Sequence, residues 1–264
     1  MAFVETDGAS IYWYELGQGE PIVLIMGLGC SSAMWFRLAP RLAVRHRVIL
    51  FDNRGTGQTK APGALVHRVS NMARDIAAVL DAAGLRRAHV VGFSMGGMIA
   101  QQFAIDHGSR VQSLTLLATN CGNPYAKLPA WEVQRLLFNR RRETPEQALN
   151  AMRPYVYSQA TPQERIAEDN TVRIANFPLR HAYDAQLYGL LYWNSYFQLP
   201  RLRLPSLVVH GLEDRLIPPE NGRLLASRIP GAELVEIPGA SHFAHTDAPE
   251  TITKAIANFI VRAR

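Results

Sequence analysis

"AHVVGFSMGGMIAQQFA", residues 88–104, sets a single serine at the corner where one kind of backbone gives way to another. Ala88 to Phe93 is short, Val-rich and continuously apolar, the pattern of a strand buried on both faces of a parallel sheet. From Met98 onward the apolar residues fall at helical spacing: Ile99, Phe103 and Ile105, with Ala100 and Ala104 between them. Ser94 stands at the junction. Gly92, Gly96 and Gly97 around it let the chain turn sharply and let the helix approach the strand closely.

The flanking sequence repeats this alternation. A hairpin is expected from strands near Phe3–Glu5 and Ile11–Glu15, followed by strands at 21–26 and 47–51 with a helix near Ala33–Ala43 between them. A helix at 70–83 is expected to start on the N-cap Ser70 and stop at Gly84. Strands at 113–119, 206–210 and 232–237 follow, then helices near Pro219–Arg228 and from Pro249. The rhythm predicts an α/β fold with a mostly parallel central sheet and helices on both faces. It is interrupted between Asn123 and Pro200 by a helical stretch punctuated with prolines. The expected organisation is therefore a sheet domain, 1–123 and 200–264, with a helical lid inserted at 124–199.

Composition narrows the function classes. The 264 residues are 48% hydrophobic, enough for a large core, and carry a net charge of +6. Only Lys60, Lys127 and Lys254 are lysines among the 28 basic residues, so the charge is arginine, scattered except at Arg140-Arg141-Arg142. No RNA-binding or zinc-finger signature accompanies it, so we read a solvated surface and expect no nucleic-acid partner. The N-terminus lacks a basic start followed by an apolar run, and no apolar stretch spans a bilayer. A cytoplasmic protein without a membrane partner is expected, with Cys30 and Cys121 as reduced, buried thiols. Neither a Cys/His cluster with metal-ligand spacing nor a G-x-G-x-x-G dinucleotide motif is present, so no metal or cofactor is expected.

Gly92-Phe93-Ser94-Met95-Gly96 fits Gly-x-Ser-x-Gly in the strand–turn–helix setting that gives the pattern meaning. A serine hydroxyl is a weak nucleophile that needs a base within hydrogen-bond reach and an acid behind that base. The competing reading of Ser94 is a helix cap. "VVHGLEDRLIPP" offers Asp214 just past a buried strand, with Glu213 as its competitor. "IPGASHFAHTDAPE" offers His242, with His245 three residues on.

With these residues in view, the chain resembles the α/β-hydrolase fold enzymes, which present serine, acid and histidine in that order. The resemblance runs over essentially the whole chain. It includes "FDNRGTGQT" (51–59), the elbow, Gly211-x-x-Asp214 with Pro218, and "SHFAHTDAP" ending in Asp247-x-Pro249. The resemblance implies Ser94 as nucleophile, Asp214 rather than Glu213 as acid, and His242 rather than His245 as base. It implies an oxyanion hole formed by the amides of Met95 and Leu28, the latter in "IMGLGCSSAMW". Here the chain departs from many members, which have His-Gly where it has Met26-Gly27. Asp52, Arg54, Gly55 and Gly57 are read as a structural loop.

Twelve of the 23 aromatic residues fall within 124–199, which suits a lid over an apolar substrate. Tyr188, Tyr192 and Tyr196 recur every four residues and, with Trp131, are expected to line the pocket; the bland alternative is packing of the lid itself. The function expected is a serine hydrolase acting on a small carboxylic ester or lactone without cofactor. Readings kept open are an enol-lactonase, a cofactor-free perhydrolase or haloperoxidase, a carbon–carbon bond hydrolase, and a non-catalytic ligand receptor on the same fold.

Overall fold

The structure is a computed structural model that describes residues 1–138 and 144–263. The basic cluster at 140–142 lies outside the described residues. The chain opens with a hairpin, β1 (Ala2–Thr6) and β2 (Ala9–Leu16), and continues into β3 (Glu20–Ile25). A 3-10 stretch, Ser32–Arg37, leads into the short α1 (Ala39–Ala43), which carries Pro40 in its first turn. The single helix expected there is thus split in two. Next come β4 (His46–Phe51), α2 (Val69–Ala82), β5 (Ala88–Phe93), α3 (Met95–Asp106) and β6 (Val111–Leu117). Four helices follow: α4 (Trp131–Phe138), α5 (Pro145–Val156), α6 (Gln163–Ala175) and α7 (Arg180–Leu191). The chain closes with β7 (Ser206–Gly211), α8 (Glu220–Arg228), β8 (Glu233–Ile237), α9 (Ala244–Asp247) and α10 (Pro249–Arg262).

The eight strands form one sheet in the order β1-β2-β4-β3-β5-β6-β7-β8, antiparallel at β1–β2 and β2–β4 and parallel elsewhere. Alternation along each strand divides the core between the two faces. Val23, Ile25, Ile49, Phe51 and Val90 pack on one side with α2 and α3 residues such as Ile76 and Phe103. Ile22, Leu24, Val48, Leu50 and Val91 pack on the other with Leu42, Ile256 and Phe259. Strands buried on both faces explain why β3 to β7 read as continuous apolar runs. Among the described residues no helix is long and apolar enough to cross a membrane.

Two boundaries differ from expectation. Ser70 is not the N-cap of α2: Arg68 holds that position without a side-chain cap bond, because Val69 is already helical and buried in the core. Helix α3 starts at Met95, not Met98, because the turn before it takes a single residue.

β6 and β7 are sheet neighbours, so α4 to α7 form an excursion between two adjacent strands. Several hydrogen bonds clasp this excursion to the chain after β8. Phe243 N donates to Val156 O (2.8 Å), Thr246 Oγ1 to Asp169 Oδ2 (2.6 Å), and Thr161 Oγ1 to Asp247 Oδ1 (2.6 Å). Val133, Met152 and Ile166 of the excursion join the core on the same face.

Candidate active site

Ser94 adopts φ 55° and ψ −120°, a backbone conformation that costs a non-glycine residue about 1–3 kcal/mol. The surroundings hold it there. Its N–H donates to Leu117 O (2.9 Å), and its carbonyl accepts from Thr119 Oγ1 (2.7 Å) and Gly97 N (2.9 Å). Two glycines permit the turn by their lack of a side chain: a Cβ on Gly92 would overlap the Gly96 carbonyl, and one on Gly96 would overlap that of Ile25. The Ser94 side chain makes no cap bond to α3, which removes the ordinary reason for a serine at this place.

Its Oγ instead lies 3.1 Å from His242 Nε2, and His242 Nδ1 lies 2.8 Å from Asp214 Oδ2. The three residues follow β5, β7 and β8, so the parallel strands deliver all of them to one carboxyl edge of the sheet. The other carboxylate oxygen, Asp214 Oδ1, accepts from the amides of Leu216 (2.9 Å) and Ile217 (2.8 Å). His210 Nε2 donates to Ile217 O (2.8 Å) and lies 3.3 Å from Asp214 Oδ2. Burial acts to raise the pKa of Asp214, but the two histidines outweigh it and hold the carboxyl below its ordinary value. Glu213 faces elsewhere, with Oε2 accepting from Ser158 Oγ (2.7 Å).

His245 belongs to a different environment. Its ring sits against Phe93 (4.6 Å between centroids), Phe243 (5.2 Å) and Trp35 (5.5 Å), and neither nitrogen has a hydrogen-bond partner. Burial first, then the facing charges of His242, Arg37 and Arg173, push its pKa from 6.5 down to about 3. The unfolded chain therefore binds a proton below 6.5 that the folded chain refuses. The stability that follows is complete above that value and is lost as pH falls, at ~1.4 kcal/mol per pH unit. His245→Leu should flatten the pH dependence of urea unfolding between about pH 6 and pH 4 by that slope, while turnover persists. An unchanged slope would mean that the buried ring is charged.

Leu28 and Met95 line the same cavity as Ser94, and among the described residues neither amide has a hydrogen-bond acceptor. The loop carrying Leu28, which follows Met26, is braced by backbone and side-chain hydrogen bonds. Asn53 Nδ2 donates to Met26 O (2.8 Å) and Cys30 N to Gly27 O (3.2 Å). The buried Gln186 of α7 spans two loops, accepting from Gly29 N (2.9 Å) and donating to Arg54 O (2.6 Å). Sequence reasoning missed Gln186, although one amide within the apolar run of α7 is the signal that could have found it. Gln186→Leu strands two backbone groups, so a loss of about 1–3 kcal/mol in stability is expected together with a lower kcat. Calorimetric melting and ester kinetics would check both. The Asp52 loop is structural in its contacts: Asp52 Oδ1 accepts from Ser32 N and Oγ (2.7 Å each), and Arg54 pairs with Asp75 through two 2.7 Å bonds.

A cavity of about 310 Å³ opens over Ser94. Its apolar wall comes largely from the excursion, with Leu137, Leu149, Met152, Val156, Leu187 and Leu190. The expected aromatic lining is corrected here. Trp131, Tyr188, Tyr192 and Tyr196 all lie outside the cavity. α7 turns Tyr183, Leu187 and Leu190 inward, which leaves Tyr188 one step round the helix and 46% exposed. The helix ends at Leu191, so Tyr192 is 93% exposed and the four-residue spacing to Tyr196 no longer means a shared face. Tyr196 stacks on Tyr125 at 4.1 Å with the Arg228 guanidinium on its ring, and Trp131 begins α4 in solvent. Cys121 is buried, which pushes its thiol up to about 11. Among the described residues no three His, Cys, Asp or Glu side chains group as a metal site.

Comparison with known proteins identifies the family. A model of the α/β hydrolase fold family matches residues 20–249. The chain is 30% identical over 266 residues, 98% of each chain, to a protein of Azorhizobium caulinodans named "Putative carbamate hydrolase RutD". It superposes on a thermophilic esterase from Thermogutta terrifontis with a TM-score of 0.86 at 27% identity, covering 99% of this chain and 98% of that one. The enol-lactonase from Burkholderia xenovorans LB400 superposes with a TM-score of 0.87 at 25% identity, covering 98% and 99%.

Proposed function

The chain belongs to the α/β-hydrolase fold family, and from that footing we propose that it cleaves carboxylic esters or lactones through an acyl-enzyme on Ser94. The observation that carries the reading is the chain of contacts from Ser94 Oγ through His242 to Asp214 at the floor of an apolar cavity. Ser94 Oγ attacks the carbonyl carbon while His242 Nε2 takes its proton. Asp214 fixes the tautomer that leaves Nε2 free and stabilises the imidazolium that forms. The amides of Leu28 and Met95 receive the negative charge that develops on the carbonyl oxygen. His242 then returns the proton to the departing alcohol, and a water activated by the same nitrogen releases the acid.

The helical excursion acts in this reading as a lid whose aliphatic wall holds the acyl group. Its chemistry also supports esters over the carbamate in the names of several relatives: a small polar carbamate would leave leucine and methionine side chains facing water. A burst of nitrophenol from a short 4-nitrophenyl ester, equal to the enzyme concentration, is the expected signature of acyl-enzyme formation. Activity is expected to survive EDTA and dialysis. Turnover of a carbamate without any of a matched ester would overturn the proposal.

A further inference from the structure

We propose that the substrate carries a carboxylate a few bonds from its scissile carbonyl, and that Arg173 of α6 pairs with it inside the cavity. Among the described residues of the cavity wall, Arg173 is the one permanently charged side chain. Its Nη1 is buried and has no hydrogen-bond partner. None of the ion pairs among the described residues engages it. Asp169, one turn earlier on the same helix, is the obvious counter-ion and is already committed. Its Oδ1 accepts from Arg37 Nη2 (3.0 Å) and its Oδ2 from Thr246 Oγ1 (2.6 Å) and Tyr157 Oη (3.1 Å). What remains to Arg173 is the Tyr157 hydroxyl beside it and the face of Phe243, 5.0 Å from the guanidinium carbon.

A cation in an apolar cavity with a vacant donor is costly unless an anion completes it. A guanidinium offers the planar fork that a carboxylate matches. The guanidinium and the His242 ring share Phe243 as a neighbour: the guanidinium carbon lies 5.0 Å from its centroid and the His242 centroid 5.9 Å, so the two stand no farther apart than the sum of these distances. A short dicarboxylic half-ester, or a lactone with a carboxylate side chain, falls within that reach.

This inference rests on the serine-hydrolase reading, and the experiment separates the two. The enzyme would be given 4-nitrophenyl hemiglutarate and its neutral match, 4-nitrophenyl valerate. The expected result is a preference for the half-ester in kcat/KM that falls on the order of 10–100-fold in Arg173→Gln and is partly kept in Arg173→Lys. The readout is a ratio within one preparation, so loss of folded protein does not mimic it. Equal kcat/KM for both esters, or a preference unmoved by Arg173→Gln, would overturn the carboxylate site and leave the ester reading intact. Should neither ester turn over, calorimetry of monomethyl glutarate with Ser94→Ala decides. Binding that Arg173→Gln abolishes would uphold the site while the serine reading fails, and absence of binding would overturn the site as well.

Discussion

Ser94→Ala is expected to lower turnover of 4-nitrophenyl esters by on the order of 10⁶ and to abolish labelling by a sulfonyl fluoride. The size follows from the lack of any substitute. Once Oγ is gone, water must attack without the proximity that the 3.1 Å contact to His242 supplies, and only the amide donors and the cavity still act on the substrate. The fold should tolerate the change. Ser94 is held by backbone contacts from Leu117, Thr119 and Gly97, none of which uses its hydroxyl. Mass spectrometry of the labelled protein gives the second half of the test, and an adduct on another serine would reject Ser94 as nucleophile.

Asp214→Asn is expected to cost about 10⁴ in turnover. The direction comes from the hydrogen bonds around it. The amides of Leu216 and Ile217 both donate to Oδ1, so they will hold the asparagine carbonyl oxygen in that place. The asparagine NH₂ then faces His242 Nδ1, where a donor now meets what must become an acceptor. That forces the proton onto Nε2, the nitrogen that has to accept from Ser94. Glu213→Gln should stay active, since a glutamine carbonyl can still accept from Ser158. Inactive Glu213→Gln beside active Asp214→Asn would show that the acid is the neighbour.

The legibility of this molecule follows how local each constraint is. The elbow could be read because a one-residue turn between buried strand and helix demands glycines at fixed offsets, and the contacts at Gly92 and Gly96 show why. The parallel sheet could be read because strands buried on both faces are apolar throughout. The pocket wall could not. Which face of α7 turns inward depends on how four helices dock on the sheet, and a four-residue tyrosine spacing carries no information once the helix stops at Leu191. Gln186 was missed for the same reason, since the Gly29 and Arg54 groups it binds lie far away in sequence.

The clasp between the helical excursion and the chain after β8 bears on how far this protein is modular. Thr246 and Asp247 spend their side chains on Asp169 and Thr161, and the Phe243 amide spends its proton on Val156. All three lie within five residues of His242. A chimera that exchanges residues 124–199 for the corresponding piece of a relative would therefore disturb the placement of His242 as well as the pocket. The natural unit of recombination is discontinuous: the excursion together with 241–247, moved as a matched pair.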